Sequence, residues 1–233
     1  MTDPSSIEER PLAAVLWDMD GTLVDTEPYW MEAEFELAEE HGGSWSREHA
    51  LSLVGNDLLV SGHYIRRHMG IDRTAEEIVE ALLDAVVARV EQRVPWCRGA
   101  IELLADLRAT QVPCALVTMS YERFAAPILA ALPQGTFAAV VTGDVVTRGK
   151  PDPEPYLTAA ALLHVDPRDC LAIEDSGPGA TSAGAAGCSV LVVPNHVTVP
   201  PAPGRVFRES LVGIYADDLR TLRDRDSPRG DLR

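Results

Sequence analysis

Short apolar runs, each closed by polar or glycine-containing sequence and mostly alternating with stretches of helical periodicity, constrain the fold of this chain more than any other feature. They occupy residues 12–17, 114–118, 138–141, 170–173 and 190–193. A run of that length with no polar alternation fits a strand buried on both faces. Helical patterns fill the intervals over residues 100–109, 124–132, 154–163 and 179–186. Strands alternating with helices predict an α/β fold built on a doubly wound parallel sheet.

The first interval breaks the rhythm. No strand pattern occurs from Glu27 to Arg93, whereas residues 28–40 carry an apolar stripe (Trp30, Ala33, Leu37) at helical spacing. Residues 75–94 repeat the signal with Ile78, Leu82, Val86 and Val90. The expectation is a helical insertion, a cap domain over residues 25–96, with residues 1–24 and 97–233 forming the α/β core. Asp25–Glu27 and residues 95–99 would then be the hinges. Residues 196–204, with prolines at 200, 201 and 203, read as a loop, and the ends before residue 11 and from Arg223 onward read as loose.

Ligands of open parallel sheets bind beyond the carboxyl ends of the strands, so the residues at those ends matter most. Asp18, Asp20, Gly21 and Thr22 follow the first run, and Thr118 and Ser120 follow the second. Lys150 lies in the loop GKPDPEP after the third; Glu174, Asp175 and Ser176 follow the fourth. Carboxylates gathered this closely repel one another unless they share a cation. With no His or Cys among them, hard oxygen ligands point to Mg2+. Mg2+ and Lys150 could neutralise a phosphoryl group. The hydroxyls of Thr118 and Ser120 and the backbone N–H groups around Asp20–Gly21 could add donors. An Asp carboxylate is a competent nucleophile toward phosphorus, and a second carboxyl two residues on can act as acid and base. Asp-Gly alone also makes an ordinary turn, and a lone lysine in a proline-rich loop is usually a surface residue; it is their order along the chain that carries weight.

That order, Asp18-Met-Asp20-Gly21-Thr22, Thr118, Lys150-Pro151 and Glu174-Asp175-Ser176, resembles the four motifs of the haloacid dehalogenase superfamily. The DTEPYW stretch at residues 25–30, the helical insertion and EDS are similar to its β-phosphoglucomutase-like phosphatase subgroup. The resemblance implies a Rossmann-like core with an α-helical cap. It implies Asp18 as nucleophile and metal ligand, and Asp20 as acid/base with its carbonyl on the metal. Thr118 and Lys150 would hold phosphate, Asp175 would bind metal, and Glu174 would support or share that role.

Within that family, Asp20 argues against a dehalogenase, and the absence of Lys between Glu27 and Arg93 argues against a phosphonate-cleaving enzyme. A sugar phosphomutase is the alternative. The resembling mutases carry a histidine where this chain has Trp30, and an arginine in the cap loop where it reads Gly55-Asn56-Asp57-Leu58. Both differences favour water as acceptor, hence a phosphatase acting on a small phosphorylated metabolite such as a sugar phosphate. Gly55, Asn56, Asp57 and His63 are the expected specificity residues.

Other features define classes the chain does not suit. The formal charge of −16 disfavours nucleic acid and anionic membranes as partners. The six histidines form no i, i+4 pair, which disfavours zinc. Trp17 reads as packing, and Gly177-Pro-Gly179 is not a dinucleotide fingerprint. Cys97, Cys114, Cys170 and Cys188 lack a C-x-x-C spacing and read as free thiols. A cytoplasmic monomer is the expectation.

Overall fold

The structure is a computed structural model describing residues 12–54 and 56–226, with side chains through Leu222. Its centre is a parallel sheet of β1 (Ala14–Trp17), β2 (Cys114–Val117), β3 (Ala139–Val141), β4 (Cys170–Glu174), β5 (Ser189–Val192) and β6 (Arg205–Phe207), ordered β3-β2-β1-β4-β5-β6. The period of two along β1 divides the core. Val15 and Trp17 join one apolar cluster, and Ala14 and Leu16 join the other.

Small residues govern the second face, where Ala159 of α7 (Glu154–Leu162) and Ala180 and Ala183 of α8 (Gly177–Ala186) meet Ala115 and Ala172. Larger side chains cover the first face. Leu103 and Leu107 come from α5 (Ala100–Ala109), Phe124 and Ile128 from α6 (Glu122–Ala130), and Leu219 from α9 (Ala216–Asp226). Each fully buried Leu or Phe there contributes about 1.5–3 kcal/mol. Helices on both faces make the doubly wound core that the alternation predicts, Rossmann-like as the resemblance implies.

Between β1 and α5 lie α1 (Glu27–Glu40), α2 (Arg47–Leu51), α3 (Leu58–Met69) and α4 (Ala75–Gln92). Thr74 and Glu77 cap α4 reciprocally: Thr74 N–H donates to Glu77 Oε2 at 2.8 Å, and Glu77 N–H to Thr74 Oγ1 at 3.2 Å. α4 stops short of Val94 because Pro95 disfavours helix at the residue before it. Departing and returning chains run side by side at the junction, where Asp25 N–H donates to Pro95 O at 2.7 Å and Cys97 N–H to Leu23 O at 3.0 Å. α4 packs on α1 and α3 and also on α6. Trp30 meets Phe124 edge-on at 5.3 Å, and Arg123 pairs with Glu80 at 2.7 Å and with Asp84.

Several elements depart from the expectations. β6 is an additional edge strand, too short to display alternation. α2 and α3 lacked a legible stripe. α9 continues through Asp226 rather than loosening at Arg223, while residues 1–11, Gly55 and 227–233 lie outside the described residues. Among the described residues, no helix is long and apolar enough to cross a membrane.

Candidate active site

The strand order reverses direction at β1, with β2 on one side and β4 on the other, and such a switch point opens a crevice at the carboxyl ends. Trp17 of β1 is aligned with Ile173 of β4, so Asp18 and Glu174 are the next residues on neighbouring strands. Asp18 N–H donates to Ile173 O at 3.0 Å, which ties the start of the loop to the sheet. Asp18, Glu174 and Asp175 are all buried, and one ligand atom from each lies within 4.8 Å of the others.

Lys150 reaches this cluster from the loop before α7. Its Nζ donates to Asp18 Oδ1 at 2.6 Å, Glu174 Oε1 at 2.7 Å and Val117 O at 2.9 Å. An ammonium has three N–H donors, and these acceptors take all of them. Burial works against the Lys150 charge, but Asp18 and Glu174 more than restore it, leaving its pKa above the ordinary lysine value. Glu174 is further held by the Tyr156 hydroxyl at 2.6 Å and by Ser176 Oγ at 3.1 Å. Ser176 also caps α8 by accepting from Gly179 N–H at 3.1 Å, so the capping role and the site role coincide.

The Asp20 carboxylate stands apart from that cluster. Thr26 Oγ1 donates to it at 2.5 Å, Ser120 Oγ at 2.7 Å and Thr118 Oγ1 at 3.3 Å. The two hydroxyls expected to serve a phosphate therefore orient Asp20 as the molecule stands. Gly21 has φ +85°, and a Cβ there would collide with the Asp175 carboxylate. Its N–H is used within the turn, donating to Val24 O at 2.7 Å.

Asp18 Oδ2 and Asp175 Oδ2 are buried without a hydrogen-bond partner. Burial first, then the Glu174 charge, lifts the Asp18 carboxyl to about 7 against the pull of Lys150. Asp175 is raised well above the usual range, by burial first and then by Asp18 and Glu174. Partnerless carboxylate oxygens this close together are costly without a shared counter-charge. The donor set is all oxygen and fits a hard divalent cation.

Above the cluster opens a cleft of about 760 Å³, lined by Asp18, Asp20, Lys150 and Asp175 on the sheet side. The helical segment supplies the opposite wall, including Glu27, Trp30, Glu34, Asn56 and Ser61. Of the expected specificity residues, Asn56 lines the cleft. Asp57 instead caps α3, accepting from Leu59 N–H at 2.9 Å and Val60 N–H at 3.1 Å, and His63 is exposed outside the cleft. Thr26, Glu27, Glu34 and Tyr156 are additions to the residues read from sequence. Position 34 carried a usable signal, an acid four residues after Trp30 on the same helical stripe. Tyr156 carried none, since an aromatic in a helical pattern reads as core.

Comparison with known proteins agrees with this geometry. The model of the haloacid dehalogenase-like hydrolases matches residues 12–187. Hexitol phosphatase A of Escherichia coli is 31% identical over 222 residues, covering 93% of this chain and 96% of that protein. Among solved structures, CbbY from Rhodobacter sphaeroides in complex with phosphate superposes with a TM-score of 0.80 at 24% identity, covering 89% of this chain and 98% of that one. β-Phosphoglucomutase from Clostridium difficile shares the fold at a TM-score of 0.76 and 19% identity, covering 91% of this chain and 97% of that one. The chain belongs to the haloacid dehalogenase-like hydrolases and is a phosphoric monoester hydrolase.

Proposed function

We propose that this hydrolase is a Mg2+-dependent phosphatase of a small sugar or sugar-alcohol phosphate, working through an aspartyl-phosphate on Asp18. The observation that carries the reading is the pairing of two differently supported carboxyls at one strand end. Asp18 is fixed through Oδ1 by Lys150 and keeps Oδ2 without a partner, while Asp20 is aimed by three hydroxyl donors. In the first step an Asp18 oxygen attacks phosphorus and the ester P–O bond breaks. The departing alkoxide takes its proton from the Asp20 carboxyl. In the second step Asp20, now a carboxylate, accepts a proton from water as that water attacks phosphorus. The bond to Asp18 then breaks, and inorganic phosphate leaves.

Asp18 and Asp175, with the Asp20 carbonyl and with Glu174 in reach, would hold Mg2+. When bound it supplies positive charge to the phosphoryl oxygens. Lys150 draws Asp18 toward its ionised form and orients it. Helices α1 to α4, the expected cap domain of residues 25–96, would exclude water from the first step, with the paired chains at Asp25 and Pro95 as the hinge.

The mutase alternative is less well supported. Lys150 is the sole basic side chain lining the cleft among the described residues, and Trp30 lies where a mutase would carry histidine. A sugar phosphate as substrate is in keeping with the hexitol phosphatase relative.

Two results are expected. Chelation should silence turnover and Mg2+ should restore it. Without substrate, Mg2+ should also raise the melting temperature, a rise that Asp175→Asn removes; activity that resists chelation would contradict the metal assignment. Asp20→Ala should lower kcat by roughly 10²–10⁴-fold on an alkyl phosphate. On nitrophenyl phosphate, whose leaving group needs no proton, the first step should be spared and phosphoenzyme should accumulate. Equal impairment of the first step on both esters would refute the acid role.

A further inference from the structure

We propose that Glu34, held by Trp45, sets the specificity of the cleft for esters whose non-reacting part is uncharged and hydroxylated, and against esters carrying a second anionic group. The inference rests on the phosphatase reading and extends it to the wall opposite the reacting atoms. Glu34 lies on α1 seven residues after Glu27, two turns along the same face, and both line the cleft. Glu34 is 5% exposed. Its Oε2 accepts from the Trp45 indole N–H at 2.8 Å, and no described residue donates to its other oxygen.

The charges available to a bound ester are one-sided. Among the described residues the lining carries the Glu34 carboxyl and, nearer Asp20, that of Glu27, and its one basic side chain, Lys150, has all three donors engaged. A second phosphate or a carboxylate on the substrate would thus meet two carboxyls with no cation to answer it. Where these carboxyls are ionised, like charges facing each other in a desolvated site cost several kcal/mol of affinity.

A hydroxyl suits the same wall. It donates to a carboxylate and accepts from a carboxyl, so it satisfies Glu34 in either protonation state. This matters because burial lifts Glu34 to about 7 despite the Trp45 bond, and burial with the Asp20 and Glu34 charges lifts Glu27 to about 8. Ser61 and Asn56 complete the wall with uncharged polar groups, and Trp30, Leu53 and Ile65 offer apolar surface to the carbon skeleton. Among the described residues no cation on that wall rewards a second anion.

The test compares glucitol 6-phosphate with 6-phosphogluconate, esters of the same carbon chain that differ by a terminal carboxylate, under Mg2+ at about pH 8.5, where both carboxyls are ionised, and with Asp18→Asn as blank. The wild type should favour the neutral ester by about 100-fold or more in kcat/KM. Glu34→Gln keeps the acceptor for Trp45 and should narrow that ratio by about tenfold, a change of about 1.4 kcal/mol. The gain should appear chiefly as a lower KM for 6-phosphogluconate. An unaltered circular dichroism spectrum and an unaltered melting transition certify the fold of the variant. An unchanged ratio in the folded variant overturns the role of Glu34 alone. Hydrolysis of neither ester by the wild type overturns the sugar-phosphate reading and this inference with it.

Discussion

Asp18→Asn should reduce phosphate release by at least about 10³-fold, the scale of losing a catalytic nucleophile, while leaving the protein folded. The amide oxygen can still accept from Lys150, so the contact now at 2.6 Å survives. What disappears is the anionic oxygen that attacks phosphorus, and with it the covalent intermediate. Folding should not suffer, because the native carboxyl is already disfavoured there: burial lifts it from its ordinary 3.8 to about 7. A buried acid with a raised pKa costs stability as pH rises from its unfolded value through its folded one. The asparagine escapes that cost, so at pH 8 the variant should melt no lower than the wild type. Near-normal turnover, followed as phosphate released from a sugar phosphate, would remove Asp18 from the nucleophile role.

Lys150→Met should damage both stability and activity. The side chain is buried, and its three donors hold Asp18, Glu174 and the end of β2 together. Removing one partner from a buried ionic group costs about 3–5 kcal/mol, because the remaining charges are left uncompensated. The sign of the pH dependence follows from the carboxyls. Without the ammonium, the folded pKa of Asp18 moves further above 3.8, so the loss is small where the carboxyls are protonated and grows as pH rises past neutrality. Denaturant melts at pH 5 and pH 8 check this: a deficit that is equal at both values, or larger at pH 5, would show that the ammonium does not balance these carboxyls. Turnover should fall in parallel, since Asp18 would lose its counter-charge.

Glu27 and Glu34 place acidic groups where an anionic substrate must enter. The overall charge of −16 sharpens that conflict. Its resolution is local: the positive charge of Lys150, and the cation its carboxylate neighbours would hold, sit at the sheet end where the phosphate must go, and the acidic wall faces the part of the substrate that carries hydroxyls. Charge thus sorts the two ends of the substrate.

The core strands and the residues at their ends were legible because their signals are local. An apolar run closed by Asp18-Met-Asp-Gly needs only neighbours along the chain to announce a buried strand and a tight turn. The helices over residues 75–92 and 100–109 show their own periodicity. Asp18, Lys150, Glu174 and Asp175 stand together in space, with Asp20 lining the same cleft, because parallel strands deliver all their carboxyl ends to one edge. The contacts that give those residues their particular duties were not legible. Lys150 and Asp18 are 132 positions apart, Ser120 and Asp20 are 100 apart, and Tyr156 reaches Glu174 from a helix whose pattern says only that it packs. Trp45 holds Glu34 from a loop without a sequence signature, and β6 is a strand because β5 offers it an open edge. Periodicity reports which face of an element is apolar. Which side chain meets which across the cleft depends on how the packed layers are set against one another, and that is decided only when the chain folds.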